Sequence, residues 1–315
     1  MRIDKLHPQN GRFLDDADRE RNIIERVTGA FTGINSDHAA IHEGEGFTPV
    51  VTDTGASYVT VAGGIGAIRT IFFRTPADKY VHLKDYKFMS NGEDVAVMFY
   101  RGVYLPYDYE GTIEVTQAPA SDGNITINLN GTDRVVAVLD TDNEAGVATK
   151  IAAILDGVGG IDATAVGAVV TVTYTAANEW EPMVIEFEDT DETGVLVDID
   201  VVETLNAAAS EIEIFNRNHV STTESEMNMY LADNTIAIAD FATAANAELR
   251  ERIWMYGEGP TGQGSNAQGP AGSGVDLNIE HVLTPNTNYA MVIENGTADA
   301  FSILPWLFWY EESEG

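Results

Sequence analysis

The residues with most chemistry to offer are six histidines and a large stock of carboxylates, in a chain without cysteine. His38 and His42, in HAAIH, are spaced i, i+4. On a helix that spacing puts both imidazoles on one face, where they could hold zinc with Glu43 and Glu45 close behind. A metalloprotease would carry glutamate directly after the first histidine, and Ala39 stands there. Gly33 on one side and Gly44 and Gly46 on the other allow only a short helix, so the pair reads as packed or turn-forming. The acidic groups Asp140/Asp142, Asp189/Asp191/Glu192 and Asp198/Asp200 could gather a hard cation such as calcium. None has the glycine and glutamate spacing of an EF-hand loop, and in so acidic a chain paired carboxylates arise by chance, so they read as solvated. The absence of cysteine removes disulfides, thiolate zinc sites and cysteine nucleophiles. There is no GxSxG elbow and no phosphate-binding glycine loop; GGIG at 63–66 lies in a strand-like region and opens no helix. The expectation is a protein with no catalytic residues, no cofactor and no metal.

Charge narrows the partners. Among 315 residues, 50 are Asp or Glu and 17 are Lys or Arg, a formal net charge of −33. Such a chain repels phosphate, so neither nucleic acid nor an anionic membrane surface is an expected partner. Only five of the basic residues are lysines (Lys5, Lys79, Lys84, Lys87, Lys150). Lysine depletion together with acid enrichment points to very high salinity, since at 1 M salt the Debye length is about 3 Å and self-repulsion is screened. The charge is also unevenly placed. Residues 1–30 carry six basic and six acidic side chains, whereas 110–205 carry 19 acids against Arg134 and Lys150. No run reaches the ~18 apolar residues of a membrane span, and the first residues lack the apolar stretch of a secretory signal.

The elements that position these residues are mostly strands. Residues 1–30 read as an N-terminal arm with one short helix over 18–27, where Ile23, Ile24 and Val27 share a face. From 30 to 109, runs such as SYVTVAG, IRTIFFRT, KYVHLKDYKFM and DVAVMFYRGVYL alternate and are broken by Gly, Pro, Asn and Asp, as in a sandwich or barrel. Residues 110–205 have their own order: strands in GTIEVTQA, NITINLNG and RVVAVLD, a helix in EAGVATKIAAILDGV, then strands in AVVTVTYTA, PMVIEFED and VLVDIDVVE. That is a compact α+β unit inserted into a loop of the surrounding β domain, which resumes over 206–315. Residues 236–249 fit either a strand and turn or a short helix. The glycine-rich stretch GPTGQGSNAQGPAGSGV reads as a surface loop.

Several segments occur together in a recognisable order: NSDHAAIHEGEGFT (35–48), KYVHLKDYKFMSNGEDVAVMFYRG (79–102), FNRNHVST (215–222), LTPNTNYAMVIENGT (283–297) and FSILPWLFWYEE (301–312). This pattern resembles virion structural proteins of tailed viruses of bacteria and archaea, of the capsid decoration or turret type. The segments NITINLNG, VVAVLDTDNEAGVATKIAAILDG and AVVTVTYTAANEWEP resemble a small module that recurs in phage structural proteins; Asn178 to Trp180 stand where that module has glycine. The resemblance implies a jelly-roll-like β-sandwich with an N-terminal arm and an inserted α+β domain. It also implies a location on the capsid surface of the virion and a major capsid protein as partner. A tail-associated receptor-binding protein that meets the host surface is the alternative, and a secreted glycan-binding module a more distant one.

Two contact regions are expected. The charge-balanced arm is the candidate capsid anchor, through Phe13, Leu14, Ile23 and Ile24, with Arg2, Arg12 and Arg19 orienting them by carboxylate pairs. The apolar run 304–310, with Trp306 and Trp309, either fills the core or packs against a neighbouring subunit. A homotrimer is the favoured assembly and a pentamer the alternative, because capsid lattices offer symmetry axes that attached proteins match.

Overall fold

A computed structural model describes residues 46–51, 58–90, 94–156, 158–176, 179–218, 221–255, 275–277 and 281–313. The arm residues Arg2, Arg12, Phe13, Leu14, Arg19, Ile23 and Ile24, the helix expected over 18–27, His38, His42 and most of the glycine-rich stretch lie outside the described residues. The described chain is mainly β, with several antiparallel sheets and one short α-helix.

The first sheet runs β14 (Ile214–Asn216), β1 (Gly46–Pro49), β20 (Phe301–Ser313), β4 (Lys79–Ser90), β17 (Val275–Leu277). β2 (Val59–Val61) also pairs with β20, and β18 (His281–Leu283) with β4. The second sheet runs β13 (Ala209–Glu211), β15 (Asn228–Ala232), β3 (Ile68–Arg74), β19 (Asn288–Asn295), β5 (Val95–Arg101), β16 (Glu248–Met255). Strand alternation sends every second side chain of both sheets into one shared core: Phe47, Val81, Leu83, Ile303, Leu307 and Trp309 from the first, Ile71, Phe73, Val97, Met229, Met291 and Ile293 from the second. Each such side chain contributes about 1.5–3 kcal/mol by leaving water. The intervening residues of the second sheet, Ile68, Phe72, Met98, Tyr230, Ala290 and Val292, build another core on its far face. The second sheet is therefore buried on both sides.

Pro305 sits within β20 although proline cannot donate to a ladder. On one side of β20 it falls between the stretches paired to β2 (at Phe301, Ser302 and Ile303) and to β1 (at Trp309 and Tyr310), where no described strand needs its N–H. The strand-like stretch EIEIFN is not one strand: Glu211 ends β13 and Ile214–Asn216 form β14, so the chain crosses from the second sheet to the first. The ambiguous 236–249 region contains a π-helical turn at Ala239–Thr243, and β16 begins at Glu248.

Residues 107–205 form two further sheets of their own. One is β12 (Leu196–Leu205), β6 (Tyr107–Gln117), β10 (Val169–Tyr174), β9 (Ile161–Val166); the other is β11 (Ile185–Glu188), β7 (Gly123–Leu129), β8 (Thr132–Val138). The helix α1 (Glu144–Leu155) closes their shared core with Val147, Ala148, Ile151 and Leu155. Asn143 caps it by accepting from the Gly146 amide at 2.8 Å, and the chain leaves helical geometry at Asp156. β9, in IDATAV, is a strand that the sequence pattern did not single out. β6 and β12 pair from Tyr107↔Leu205 onward, and just outside them the Asn206 amide donates to the Pro106 carbonyl at 2.8 Å, so the two ends of the unit meet.

Candidate interaction surfaces

β20 decides the two tryptophans. Its inward side chains are Phe301, Ile303, Leu307 and Trp309, all buried. Trp309 has no exposed surface, lies 6.1 Å from Phe47 between ring centroids, and its Nε1 faces Glu311 Oε1 at 3.4 Å. It is a core residue and offers nothing to a neighbouring subunit. Trp306 is on the opposite face and 48% exposed. β20 is also a central strand, flanked by β1 and β2 on one side and β4 on the other, which is why so apolar a run is tolerated. Period-two parity alone separates Trp306 from Trp309, and it was available in the sequence.

The face that carries Trp306 is aromatic. Phe308 lies under the Arg217 guanidinium, 4.9 Å from ring centroid to Cζ. His82 stacks on Tyr310 at 4.5 Å, and its Nε2 is 3.1 Å from Glu312. Val282 and Phe215 add half-exposed apolar surface. Inside, Glu311 is a buried carboxylate that accepts from the Ser225 hydroxyl (2.5 Å) and the amides of Glu226 (3.1 Å) and Met227 (3.3 Å), tying the loop before β15 to β20.

The 107–205 unit presents a different surface. Opposite its core, the outward rows of β12–β6–β10–β9 read Asp198–Glu114–Val169–Val166, then Asp200–Thr112–Thr171–Thr164, then Val202–Glu110–Thr173–Asp162. These rows are carboxylates, threonines and three valines, with no lysine or arginine. The other acidic groups stabilise turns. Asp142 accepts from the Leu139 amide (2.7 Å) and Lys150 Nζ (2.5 Å), and the Lys150 bond holds its carboxyl below the ordinary range. Burial pushes the Asp189 carboxyl up, but the Thr193 and Gly194 amides and the Thr193 hydroxyl outweigh it and hold it low. Among the described residues no group of three or more His, Asp or Glu converges where a metal ion could sit, and no helix is long and apolar enough to cross a membrane.

One concavity was not anticipated. An open cleft of about 240 Å³ lies at the end of this sheet, lined by Asp108, Tyr109, Glu110, Thr173, Tyr174 and Thr204. Burial pushes both phenols up to about 12, so they stay neutral donors. Tyr174 accepts from Asn130 Nδ2 at 2.8 Å. Tyrosine and carboxylate side chains from paired strands meet here only because register brings Asp108, Thr204, Glu110 and Thr173 into adjacent rows, a relation no single strand carries. Compared with known protein families and with curated proteins, the chain matches none.

Proposed function

We propose that the chain is a non-enzymatic virion structural protein of a tailed virus, decorating, cementing or projecting from the capsid in a high-salt environment. The observation that carries this reading is the strand order. The first sheet places β1/β2, β20, β4 and β17/β18 side by side, and the second places β3, β19, β5 and β16 side by side. Through β2, β3, β4 and β5, consecutive strands alternate between the sheets, and β18, β19 and β20 alternate again. This order fits the connectivity of an eight-stranded jelly roll, an architecture recurrent in viral capsid and lectin domains. The α+β unit then enters as an insertion between the fourth and fifth strands. The meeting of its ends at Pro106 and Asn206 supports a domain grafted into a loop.

In this reading the major capsid protein is the partner, and the chain binds it through residues 1–30 and through the aromatic face around Trp306. The acidic rows of the inserted domain face brine. Self-assembly follows a capsid axis, as a trimer or, for a five-fold turret, a pentamer. In particles banded in a salt gradient, the protein should co-band with the shell protein in high copy number, and deleting residues 1–28 should abolish sedimentation with particles. Absence from particles would overturn the reading; undiminished binding by the truncated protein would overturn the anchor. The cleft at Tyr109 and Tyr174, together with the use of jelly rolls by lectins, favours a second reading as a tail-associated receptor-binding protein. A low copy number with binding to host glycans would select it.

A further inference from the structure

Among the described residues of 107–205, one large buried side chain stands apart from that unit's own core. Trp180, in the connection between β10 and β11, is 1% exposed and lies instead in the core on the far face of the second sheet. Its ring meets Phe72 edge-on at 5.8 Å and 83°, and stacks on Phe241 of the π-helical turn at 6.4 Å and 22°. Beside it the Tyr104 hydroxyl hydrogen-bonds Glu181, and the other described ties between the unit and the first two sheets sit where its strands enter and leave. Tyr107 Oη meets Tyr230 Oη at 2.6 Å, Arg74 pairs with Glu203 at 3.2 Å, and the Arg74 guanidinium lies over the Tyr107 ring.

A pair of adjacent strands is a hinge: it holds the two ends together but lets the unit tilt about them. A packed contact from outside that strand pair, made by the connection between β10 and β11, restrains the tilt. We infer that Trp180 is a latch that fixes the pose of the 107–205 unit, and that the unit swings on its two-strand stalk when the indole leaves its pocket. The pocket also limits the latch, because the buried Nε1–H has no hydrogen-bond partner among the described residues. Docking the indole forfeits a hydrogen bond that water supplies after release, which offsets part of what its burial contributes. This inference does not depend on where the protein is located.

The lack of native cysteine makes the test direct. Ile65→Cys and Val166→Cys, each replacing a residue 81% exposed, place one spin label on each body of the full-length chain. Pulsed dipolar distances in high salt should be narrow in the parent and in Trp180→Phe, which keeps an aromatic plug without the orphan donor. In Trp180→Ala the distribution should broaden and shift while hydrogen-exchange protection of α1 and β19 is retained. A distribution that stays narrow in Trp180→Ala shows that the stalk alone sets the pose and overturns the latch. Loss of protection in α1 or β19 makes Trp180 an ordinary core support and overturns it equally, as does a broad distribution in the parent or in Trp180→Phe.

Discussion

At the residue scale, Trp309 and Trp306 are separated by three positions and have opposite environments. Trp309→Ala should cost roughly 3–5 kcal/mol, by lost burial and the cavity left against Phe47. Trp306→Ala should change stability by about 0.5 kcal/mol or less, as a surface substitution does, and act instead on assembly or particle binding. Thermal melts and mass photometry of the two variants in high salt check this; a Trp306→Ala melt depressed as far as that of Trp309→Ala would refute the assignment. Glu311 is the other decisive residue. Removing its carboxylate takes the acceptor from the Glu226 amide and one acceptor each from the Met227 amide, the Ser225 hydroxyl and the buried Trp309 indole, so Glu311→Ala should cost about 3 kcal/mol, and Glu311→Gln less. Denaturant unfolding that leaves Glu311→Ala within error of the parent would show that the loop before β15 is held by something else.

At the element scale, the α+β unit has its own core and its own acid sensitivity. Asp142 and Asp189 have folded pKa values held below their ordinary value of 3.8. A depressed carboxylate contributes stability above its unfolded pKa, and that stability is lost as pH falls through the folded value. Hydrogen-exchange protection of α1 should therefore decline below about pH 4, and Asp189→Asn should flatten that decline; an unchanged profile in the variant would place the sensitivity elsewhere. Excision is the complementary experiment. Because Pro106 and Asn206 are already hydrogen-bonded, joining them with a short linker should leave a folded molecule with its first two sheets intact. It also uncovers the surface around Phe72 that Trp180 occupies, so the excised form should be less stable than the parent and should bind a hydrophobic dye. A remainder with no cooperative melt would show that the two bodies fold as one.

At the scale of the whole molecule, the net charge of −33 dominates. Repulsion among carboxylates in the exposed rows of β6 and β12 opposes the folded state wherever it is unscreened, and the Debye length shrinks from about 10 Å at 0.1 M salt to about 3 Å at 1 M. The melting temperature should therefore climb steeply over that range and then level off. A flat dependence in calorimetry would remove the saline reading, because Lys depletion would then be incidental.

The sequence by itself determined the alternation of strands, the helix within EAGVATKIAAILDGV, the independent order of 110–205 and the charge imbalance. Each of these is local: side-chain period, capping residue and charge are properties of neighbours in the chain. Only the tertiary structure decided the rest. β20 became central rather than an edge because β1 and β2 arrive from far away in the chain to cover one side of it. EIEIFN is not a single strand because Glu211 pairs in the second sheet and Ile214–Asn216 in the first. The cleft at Tyr109 exists through the register of β12, β6 and β10. Trp180, unremarkable in ANEWEP, leaves its own unit for a pocket built by Phe72 and Phe241. Pairing and packing between segments far apart in sequence are set by which surfaces can be buried together, and that free energy is a property of the assembled chain rather than of any stretch of it.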